Sequence, residues 1–583
     1  MTSSSKGFNS TLDRREFLTQ GSMIMGALAG AVTLRPRLGF TQERSESYVV
    51  AETTAGRIRG IQQGGIVIFK GVPYGGPVSG ANRFKAAPPL ESWTGVKDAL
   101  QLGPPSWQPD KSYFGINEPS PDENCLVLNI WTPAIDGRRR PVMFYNHGGG
   151  FIKGSGGAVY QDGGNLARMY DVVVVETNHR LGLLGYLYLG ELGGEEYSTS
   201  GNQGLLDLRD GLRWVNENIE GFGGDPNNVM IFGESGGGQK TSALYALPSA
   251  DKYFNKASIE SGPAISMTPL EVAARTTQTV LKLLGLEKRD WRKLIDVPVD
   301  KLLSTQVSLA EQSMATFNLT SLALRQGGGW MLNFGFAPVV DGSVLPHDPF
   351  SPTAPAFSKA KPLIVGTNRD ESAFIWFQAK LNDVFSLNYE TLKARLDKDL
   401  GSIANADMVL ATYRRSRPHA SAPDLYTAIT TATAMWLPAI TIAERKYAQG
   451  GAPAYMYMFS HPSNFLIPGT NHPIGAAHAT EIPYKFDNIH PVGQESHADV
   501  QQPGSNIGMD TMIGTDKNRE KVAHNMSEMW SSFARTGQPA AKGQPAWPAY
   551  TTKTRATMEI DAQCKIVNDP FDQERRMWEH LDA

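Results

Sequence analysis

The stretch Val229-Met-Ile-Phe-Gly233-Glu-Ser235-Gly-Gly237 carries the strongest structural signal in the chain. Its first four residues form a short apolar run typical of a buried strand, and a helical stretch follows. Glycine two positions before and after Ser235 permits the tight strand-to-helix turn that exposes a serine Oγ at a sheet edge. The N–H of Gly236 would then point from a helix N-terminus at a reacting oxygen. The stretch predicts a nucleophilic serine.

A phosphate-binding loop is an alternative interpretation of the same stretch. Gly233-x4-Gly238-Gln239-Lys240-Thr241 nearly matches the pattern G-x-x-x-x-G-K-[ST], but Gln239 separates the second glycine from the lysine. A shift of one residue turns a side chain by about 100° on a helix, away from the phosphates. Nucleotide binding is therefore the less favoured interpretation.

A second glycine-rich segment follows another apolar run. His147-Gly148-Gly149-Gly150-Phe151 comes directly after Val142–Tyr145. Consecutive glycines after a strand leave backbone N–H groups uncovered, and these could complete an oxyanion hole with the N–H of Gly236. A flexible loop without such a role is the alternative.

Apolar runs alternate with helical stretches along the rest of the chain. Further predicted strands are Val172–Glu176, Leu363–Gly366 and Ala454–Phe459. Predicted helices are Asp207–Asn218, Lys240–Leu247 and Asn518–Phe533. This alternation predicts an α/β fold with a large, mostly parallel central sheet flanked by helices. We expect residues 45–583 to form a single domain with helical insertions near 265–335 and 380–450 that could cap a site.

Composition narrows the possible partners. The 583 residues carry a formal net charge of −3, which gives no electrostatic footprint for nucleic acid. There are two cysteines, Cys125 and Cys564, so at most one disulfide can form and the fold cannot depend on a disulfide framework. Cys125 lies in an apolar run, where a buried thiol is favoured over a reactive one.

The N-terminus has the pattern of an export signal. Arg14-Arg15-Glu16-Phe17-Leu18 is a twin-arginine pair followed by Phe-Leu, and the mostly apolar run Gly21–Leu34 comes next. This run is shorter than the roughly 20 apolar residues that a spanning helix needs. We expect residues 1–40 to be a twin-arginine signal peptide and the protein to be periplasmic or secreted. We expect no other segment to be long and apolar enough to cross a membrane.

Together these segments resemble the type B carboxylesterases, the family that includes the cholinesterases. The resemblance runs from about Val49 to Trp578. Its ordered matches include FKGVPYGGP at Phe69–Pro77, ENCLVLNIWTP at Glu123–Pro133, NHRLGLLGYL at Asn178–Leu187, GNQGLLDLRDGLRWVNENIEGFGGDP at Gly201–Pro226, PVVDG at Pro338–Gly342 and MWSSFARTGQP at Met529–Pro539. The resemblance implies the α/β-hydrolase fold and hydrolysis of carboxylic esters through an acyl-enzyme intermediate, without a metal or cofactor.

The same resemblance implies the remaining site residues. Glu371, in Val365-Gly-Thr-Asn-Arg-Asp-Glu371, matches the acid, and His478, in Gly475-Ala-Ala-His478, matches the base. The implied oxyanion donors are the N–H groups of Gly149, Gly150 and Gly236. Glu234 and Ser261 match residues that stand beside the triad. Asp370 and Asp341 are rival acids.

The sequence identifies the residues that contact the substrate less precisely than the triad and the oxyanion donors. The candidate wall of an apolar pocket consists of Phe151, Trp330, Leu332, Phe334, Phe374 and Trp436, and it predicts small to medium apolar esters as substrates. The family's cysteine partner of Cys125 should fall near Ser106, and the choline-stacking tryptophan of cholinesterases is missing from Phe114–Asn124. A catalytically silent binding protein on the same fold is the alternative function.

Overall fold

The computed structural model describes residues 47–109, 118–315, 336–402, 404–490 and 508–582. All of them belong to one compact unit. The expected signal peptide, residues 1–40, lies outside the described residues.

Seventeen strands are present in the described residues. They are β1 Ser47–Thr53, β2 Gly56–Gln63, β3 Ile66–Pro73, β4 Val96–Asp98, β5 Val127–Thr132, β6 Arg140–Asn146, β7 Val173–Thr177, β8 Gly224–Glu234, β9 Lys256–Glu260, β10 Thr268–Pro269, β11 Val339–Val340, β12 Leu363–Asn368, β13 Ala454–Phe459, β14 Ser463–Leu466, β15 Pro473–Gly475, β16 Ala556–Ile560 and β17 Lys565–Asn568. Each apolar run predicted as a strand lies wholly or almost wholly within one of them.

One sheet of 13 strands organises the described part of the chain. Its order is β1-β2-β3-β5-β7-β6-β8-β9-β12-β13-β16-β17, with β4 paired to β2. The centre, from β7 through β16, is parallel throughout, while the pairs at either end are mostly antiparallel. The predicted α/β fold with a mostly parallel central sheet is confirmed.

Apolar side chains cover both faces of this sheet. In β6, Val142 and Phe144 belong to one core cluster, and Met143 and Tyr145 belong to the other. Successive side chains of a strand point to opposite faces, so a strand covered on both sides must be apolar at every position. This is why the central strands appear in the sequence as uninterrupted apolar runs.

Helices flank the sheet. They are Gly164–Tyr170, Gly182–Tyr186, Gly190–Gly193, Gln203–Asn218, Gly236–Tyr245, Leu270–Leu283, Val299–Ala315, Glu371–Gln378, Tyr389–Leu400, Ala406–Ser416, Ala422–Thr431, Leu437–Ala448, Ile482–Lys485, Met509–Met512, Arg519–Thr536 and Asp572–Asp582. Helices therefore occupy the predicted insertion near 380–450 and the described part of the insertion near 265–335. Residues 316–335 lie outside the described residues, and the role of both insertions as a cap stays a prediction.

Two of these helices form one long stretch. A π-helical turn, Ala432–Trp436, joins Ala422–Thr431 to Leu437–Ala448. Contrary to the sequence expectation, this stretch, Ala422–Ala448, is long and apolar enough to span a membrane, with a mean hydropathy of 1.3 in its most apolar window. However, 89% of that window is buried inside the protein, as in the core helix of a globular domain.

Candidate active site

Ser235 occupies a strained turn between β8 and the helix Gly236–Tyr245. Its φ is +58° and its ψ is −122°, a region that residues with a side chain rarely adopt. The turn is fixed by the N–H of Ser235, which donates to the carbonyl of Glu260 at 2.9 Å. A Cβ at Gly233 or Gly237 would lie 2.5 or 1.9 Å from the carbonyl oxygen of Asn146. The two glycines are therefore required by the close approach of the end of β6.

His478 connects this serine to a buried acid. Its Nε2 lies 2.8 Å from Ser235 Oγ, and its Nδ1 lies 2.6 Å from Glu371 Oε2. Because a carboxylate accepts hydrogen bonds, the short contact to Glu371 keeps a proton on Nδ1 and leaves Nε2 facing the serine hydroxyl. The arrangement can pass a proton from the hydroxyl to the imidazole.

Glu371 is the first residue of the helix Glu371–Gln378 and is completely buried. Its second oxygen, Oε1, accepts a hydrogen bond of 2.7 Å from the N–H of Asn368 at the end of β12. The rival acid Asp370 faces elsewhere, since its Oδ2 accepts from the N–H of Ala476 at 2.9 Å and pairs with Arg369 at 3.0 Å. Asp370 therefore holds the loop that carries the histidine.

Asn368 and Glu481 were not identified from the sequence. Asn368 Nδ2 donates to the carbonyl of Ala477 and to Glu481 Oε2, both at 2.6 Å. These bonds tie the end of β12, three residues before Glu371, to the histidine loop on both sides of His478. The spacing of Glu481, three residues after the histidine, could have suggested it, but nothing local identifies its partner.

Buried carboxylates surround the imidazole. Burial lowers the pKa of His478, but the charges of Glu234 and Glu371 outweigh this effect and raise the pKa to about 9. Glu234 Oε1 lies 3.4 Å from His478 Nε2. Burial raises the pKa of Glu234 well above its usual range, and the charges of Glu481 and Glu371 add to this effect. A proton on Glu234 removes one of the charges that favour imidazolium, and so favours the neutral imidazole that can act as a base.

The glycine-rich segment after β6 lies against the serine turn. Gly149 and Gly150 have φ values of +85° and +65°, which glycine adopts without strain. A Cβ on Gly236 would lie 2.2 Å from the nitrogen of Gly150, so the two backbones are in direct contact. Among the described residues, the N–H groups of Gly149, Gly150 and Gly236 have no hydrogen-bond partner.

Two of the candidate pocket residues lie close to these groups. Phe374 is buried, and its ring centroid is 5.9 Å from that of His478. Phe151 follows Gly150 directly and packs edge-to-face on Tyr186 at 5.3 Å. The ring of Phe374 therefore stands beside the candidate base, and Phe151 is the chain neighbour of a candidate oxyanion-binding glycine.

The other candidate pocket residues are Trp436, Trp330, Leu332 and Phe334. Trp436 is buried and packs against Phe571 at 6.1 Å, in a small cavity that Thr367 also lines. Trp330, Leu332 and Phe334 lie outside the described residues, so their place in a pocket stays a prediction. Ser261 is buried with φ of +48°, and its Oγ has no partner among the described residues.

Asp341 and Lys240 are the remaining residues that the sequence analysis considered. Asp341 accepts hydrogen bonds from the side chain of Asn202 and from the N–H of Ser343, both at 2.9 Å. Lys240, the residue behind the phosphate-loop alternative, is fully buried. In the described chain, no group of three or more His, Cys, Asp or Glu side chains is arranged to hold a metal ion.

Both cysteines are free and buried. Burial raises the pKa of Cys125 to about 12, and the neighbouring Ser106 opposes this shift. Ser106 therefore stands where the resemblance placed a cysteine partner. The interpretation of Cys125 as a buried, unreactive thiol agrees with this environment.

Comparison with known proteins identifies the family. The model of the Carboxylesterase family matches residues 47–578. The para-nitrobenzyl esterase of Bacillus subtilis (strain 168) is 34% identical over 537 residues, which cover 91% of this chain and 98% of that protein. The chain belongs to the carboxylesterase family.

Further relatives of this carboxylesterase are also esterases or hydrolases. The phenmedipham hydrolase of Pseudarthrobacter oxydans is 29% identical, and the alignment covers 89% of this chain and 97% of that protein. Among solved structures, the carboxylesterase EST55 of Geobacillus stearothermophilus matches with a TM-score of 0.74 and 33% identity, over 91% of this chain and 99% of that one. The predicted family, the α/β-hydrolase fold and the hydrolysis of carboxylic esters are confirmed. The roles of individual residues stay predictions.

Proposed function

We propose that Ser235, His478 and Glu371 are the catalytic triad of this carboxylesterase. The observation that carries the proposal is the unbroken chain of two hydrogen bonds, 2.8 and 2.6 Å long, from the serine hydroxyl through the imidazole to the carboxylate. Residues separated by 243 and 107 positions form these two contacts. Such a nucleophile–base–acid geometry is the recognisable signature of acyl-transfer catalysis.

In the first half-reaction, Ser235 Oγ attacks the ester carbonyl carbon while its proton passes to His478 Nε2. The carbonyl π electrons move to oxygen, and the N–H groups of Gly149, Gly150 and Gly236 stabilise the resulting oxyanion. The oxyanion then re-forms the carbonyl, the C–O bond to the alcohol breaks, and His478 gives its proton to the leaving oxygen. An acyl-serine remains.

In the second half-reaction, water attacks the acyl-serine by the same route. His478 takes a proton from the water, and the same N–H groups hold the second oxyanion. Collapse releases the carboxylic acid and returns the proton to Ser235. Glu371 retains its charge throughout and stabilises the imidazolium that forms in each step.

Small to medium apolar esters are the proposed substrate class. Phe374 and Phe151 support it, because the buried ring of Phe374 stands beside the imidazole and the buried Phe151 directly follows Gly150 in the chain. An apolar wall binds acyl or alkyl groups by removing their surface from water, at about 25 cal/mol per Å². The name of the relative para-nitrobenzyl esterase suggests aromatic esters as probes.

The test is a panel of p-nitrophenyl and p-nitrobenzyl esters that differ in acyl length, hydrolysed by the wild type and by Ser235→Ala. We expect the variant to lose the activity and to resist labelling by a fluorophosphonate, which the wild-type serine attacks at phosphorus with loss of fluoride. A variant that hydrolyses the panel as fast as the wild type would refute the assignment of the nucleophile.

We also propose export through the twin-arginine route, which rests on the sequence of residues 1–40. Its test is replacement of Arg14 and Arg15 by lysine, followed by fractionation of the cells. Retention of the double variant in the cytoplasm, with the wild type outside it, is the expected result. Equal distribution of both would contradict the proposal.

A further inference from the structure

Lys240 is a buried lysine in the first turns of the helix that follows Ser235. Its side chain is completely buried, and Nζ donates a hydrogen bond of 2.9 Å to the carbonyl oxygen of His147. Among the described residues, no carboxylate forms an ion pair with it, and burial lowers its pKa well below the usual range. A buried amino group without a counter-charge costs stability, so its presence calls for a function.

Its surroundings contain further basic groups without acidic partners. The rings of His147 and His179 stack with centroids 4.6 Å apart. Burial lowers the pKa of both imidazoles well below the usual range, and a positive charge on Lys240 lowers them further. His147 is therefore neutral, and its Nδ1–H donates to the carbonyl of Gly148 at 2.9 Å, because a carbonyl can only accept.

Three consecutive carbonyl groups of the glycine-rich segment, those of residues 147 to 149, each accept a hydrogen bond. The carbonyl of His147 accepts from Lys240, that of Gly148 accepts from the ring of His147, and that of Gly149 accepts from the N–H of Lys153 at 3.1 Å. Each carbonyl is turned toward a donor in the protein. The N–H groups of Gly149 and Gly150 are left for a ligand.

The same helix provides a second connection at the next residue. Asn146 Nδ2 donates to Thr241 Oγ1 at 2.9 Å. Side chains of a helix lean toward its N-terminus, which here is the serine turn, so the long side chain of Lys240 can reach back to the glycine segment. Residues 146 and 147 are thus bound to the helix whose first residue follows the nucleophile.

We propose that Lys240 is a positioning residue for the oxyanion hole. Its hydrogen bond to the His147 carbonyl fixes the segment Gly148–Gly150 relative to Ser235, so that the N–H groups of Gly149 and Gly150 face the oxygen on which negative charge develops. This inference rests on the proposed triad and oxyanion hole. The hydrogen bond acts through the loop, and the lysine itself does not touch the substrate.

The test compares Lys240→Met with Lys446→Met. Methionine keeps the length and apolar stem of lysine to the last carbon and removes the amino group. Lys446 is a matched control, because it is also completely buried and also donates to backbone carbonyls, those of Ser358 and Lys359 at 3.0 and 3.1 Å. Those carbonyls belong to neither the glycine segment nor the triad.

Two readouts separate positioning from stability. The first is kcat and KM for a p-nitrophenyl ester. The second is the affinity for an alkyl trifluoromethyl ketone, which reports on the hole directly: Ser235 Oγ adds to the ketone carbon, the hydroxyl proton passes to His478, and the oxyanion remains in the hole. Transition-state analogues of this kind lose affinity in parallel with kcat when oxyanion donors are displaced.

We expect Lys240→Met to lower kcat and ketone affinity by the same factor, about tenfold to hundredfold, with KM changed less than threefold. Lys446→Met should lower the melting temperature alone. If Lys240→Met does not fold, Lys240→Leu, which also removes the donor, takes its place with the same readouts. Unchanged kcat and ketone affinity in a folded Lys240 variant would overturn the inference. Failure of the wild type to bind the ketone would instead refute the proposed triad.

Discussion

Replacing Gly149 by alanine separates two effects that glycine substitutions usually combine. Gly149 has a φ of +85°, and a Cβ added there would lie 2.4 Å from the carbonyl oxygen of Lys153. Gly65, in the turn between β2 and β3, has the same φ of +85° but open space around the added Cβ. Gly65→Ala therefore reproduces the backbone strain of Gly149→Ala without the collision.

The comparison gives the expected loss of stability in both variants and the expected loss of kcat in Gly149→Ala. The left-handed conformation costs a non-glycine residue about 1–2 kcal/mol of stability, and both variants pay it. In Gly149→Ala the alanine Cβ must also move about 1 Å away from the Lys153 carbonyl to reach an ordinary contact of 3.4 Å. Such a displacement removes the Gly149 N–H from its place in the proposed hole. Loss of one oxyanion donor costs about 3–4 kcal/mol in the transition state, or roughly 10²–10³-fold in kcat.

Steady-state hydrolysis of a p-nitrophenyl ester and urea unfolding measure both effects. We expect both variants to unfold at lower urea concentration, and only Gly149→Ala to lose kcat, with KM nearly unchanged because the donor acts on the transition state. A kcat for Gly149→Ala within threefold of the wild type would refute the role of its N–H. An equal loss in Gly65→Ala would show that general strain is responsible.

Three further substitutions test buried charges, two of them beside His478 and the third in the ion pair of Lys485 with Glu260. Glu371→Gln should lower kcat by about 10⁴-fold, because an amide supports the wrong imidazole tautomer; steady-state kinetics of the folded variant check this, and a loss below tenfold contradicts it. Glu234→Gln should leave the acid limb of the kcat/KM profile nearly in place, since burial raises the pKa of Glu234 well above its usual range and favours its neutral form, which glutamine resembles; a limb moved to lower pH would show instead that Glu234 is charged and raises the pKa of His478. Lys485→Met should lower the free energy of unfolding by about 3–5 kcal/mol, because it leaves the buried carboxylate of Glu260 unpaired; an unchanged urea midpoint would contradict this.

The centre of the sheet could be predicted from the sequence, whereas its first edge could not. Strands such as β8 and β13 are covered on both faces and are therefore apolar at nearly every position of their cores. In β1 only Ala51 is buried, and polar residues alternate with apolar ones without a clear period. Edge strands of this kind depend on pairing with a neighbour, which the sequence does not display.

Some residues of the site could likewise be predicted from the sequence, and others could not. Ser235 and the glycine segment have local signals, because a strained turn and close backbone contacts demand glycine at fixed spacing. Glu371 and His478 have none, since their hydrogen bond joins residues 107 positions apart, and only the family resemblance identified them. Asn368 stayed hidden for the same reason: it is one amide among many, and its function depends on two partners in a distant loop.

Glu260 explains how the strained serine turn is maintained. Its backbone carbonyl accepts the N–H of Ser235, while its side chain forms a completely buried ion pair with Lys485 and accepts hydrogen bonds from Trp530 Nε1 at 2.5 Å and Ser258 Oγ at 2.7 Å. Strained backbone persists only where the surrounding structure over-determines it. The ion pair fixes the end of β9, and the end of β9 fixes the nucleophile. A stability loss in Lys485→Met should therefore be accompanied by a lower kcat per folded molecule, because the core that supports the fold also holds Ser235 in place.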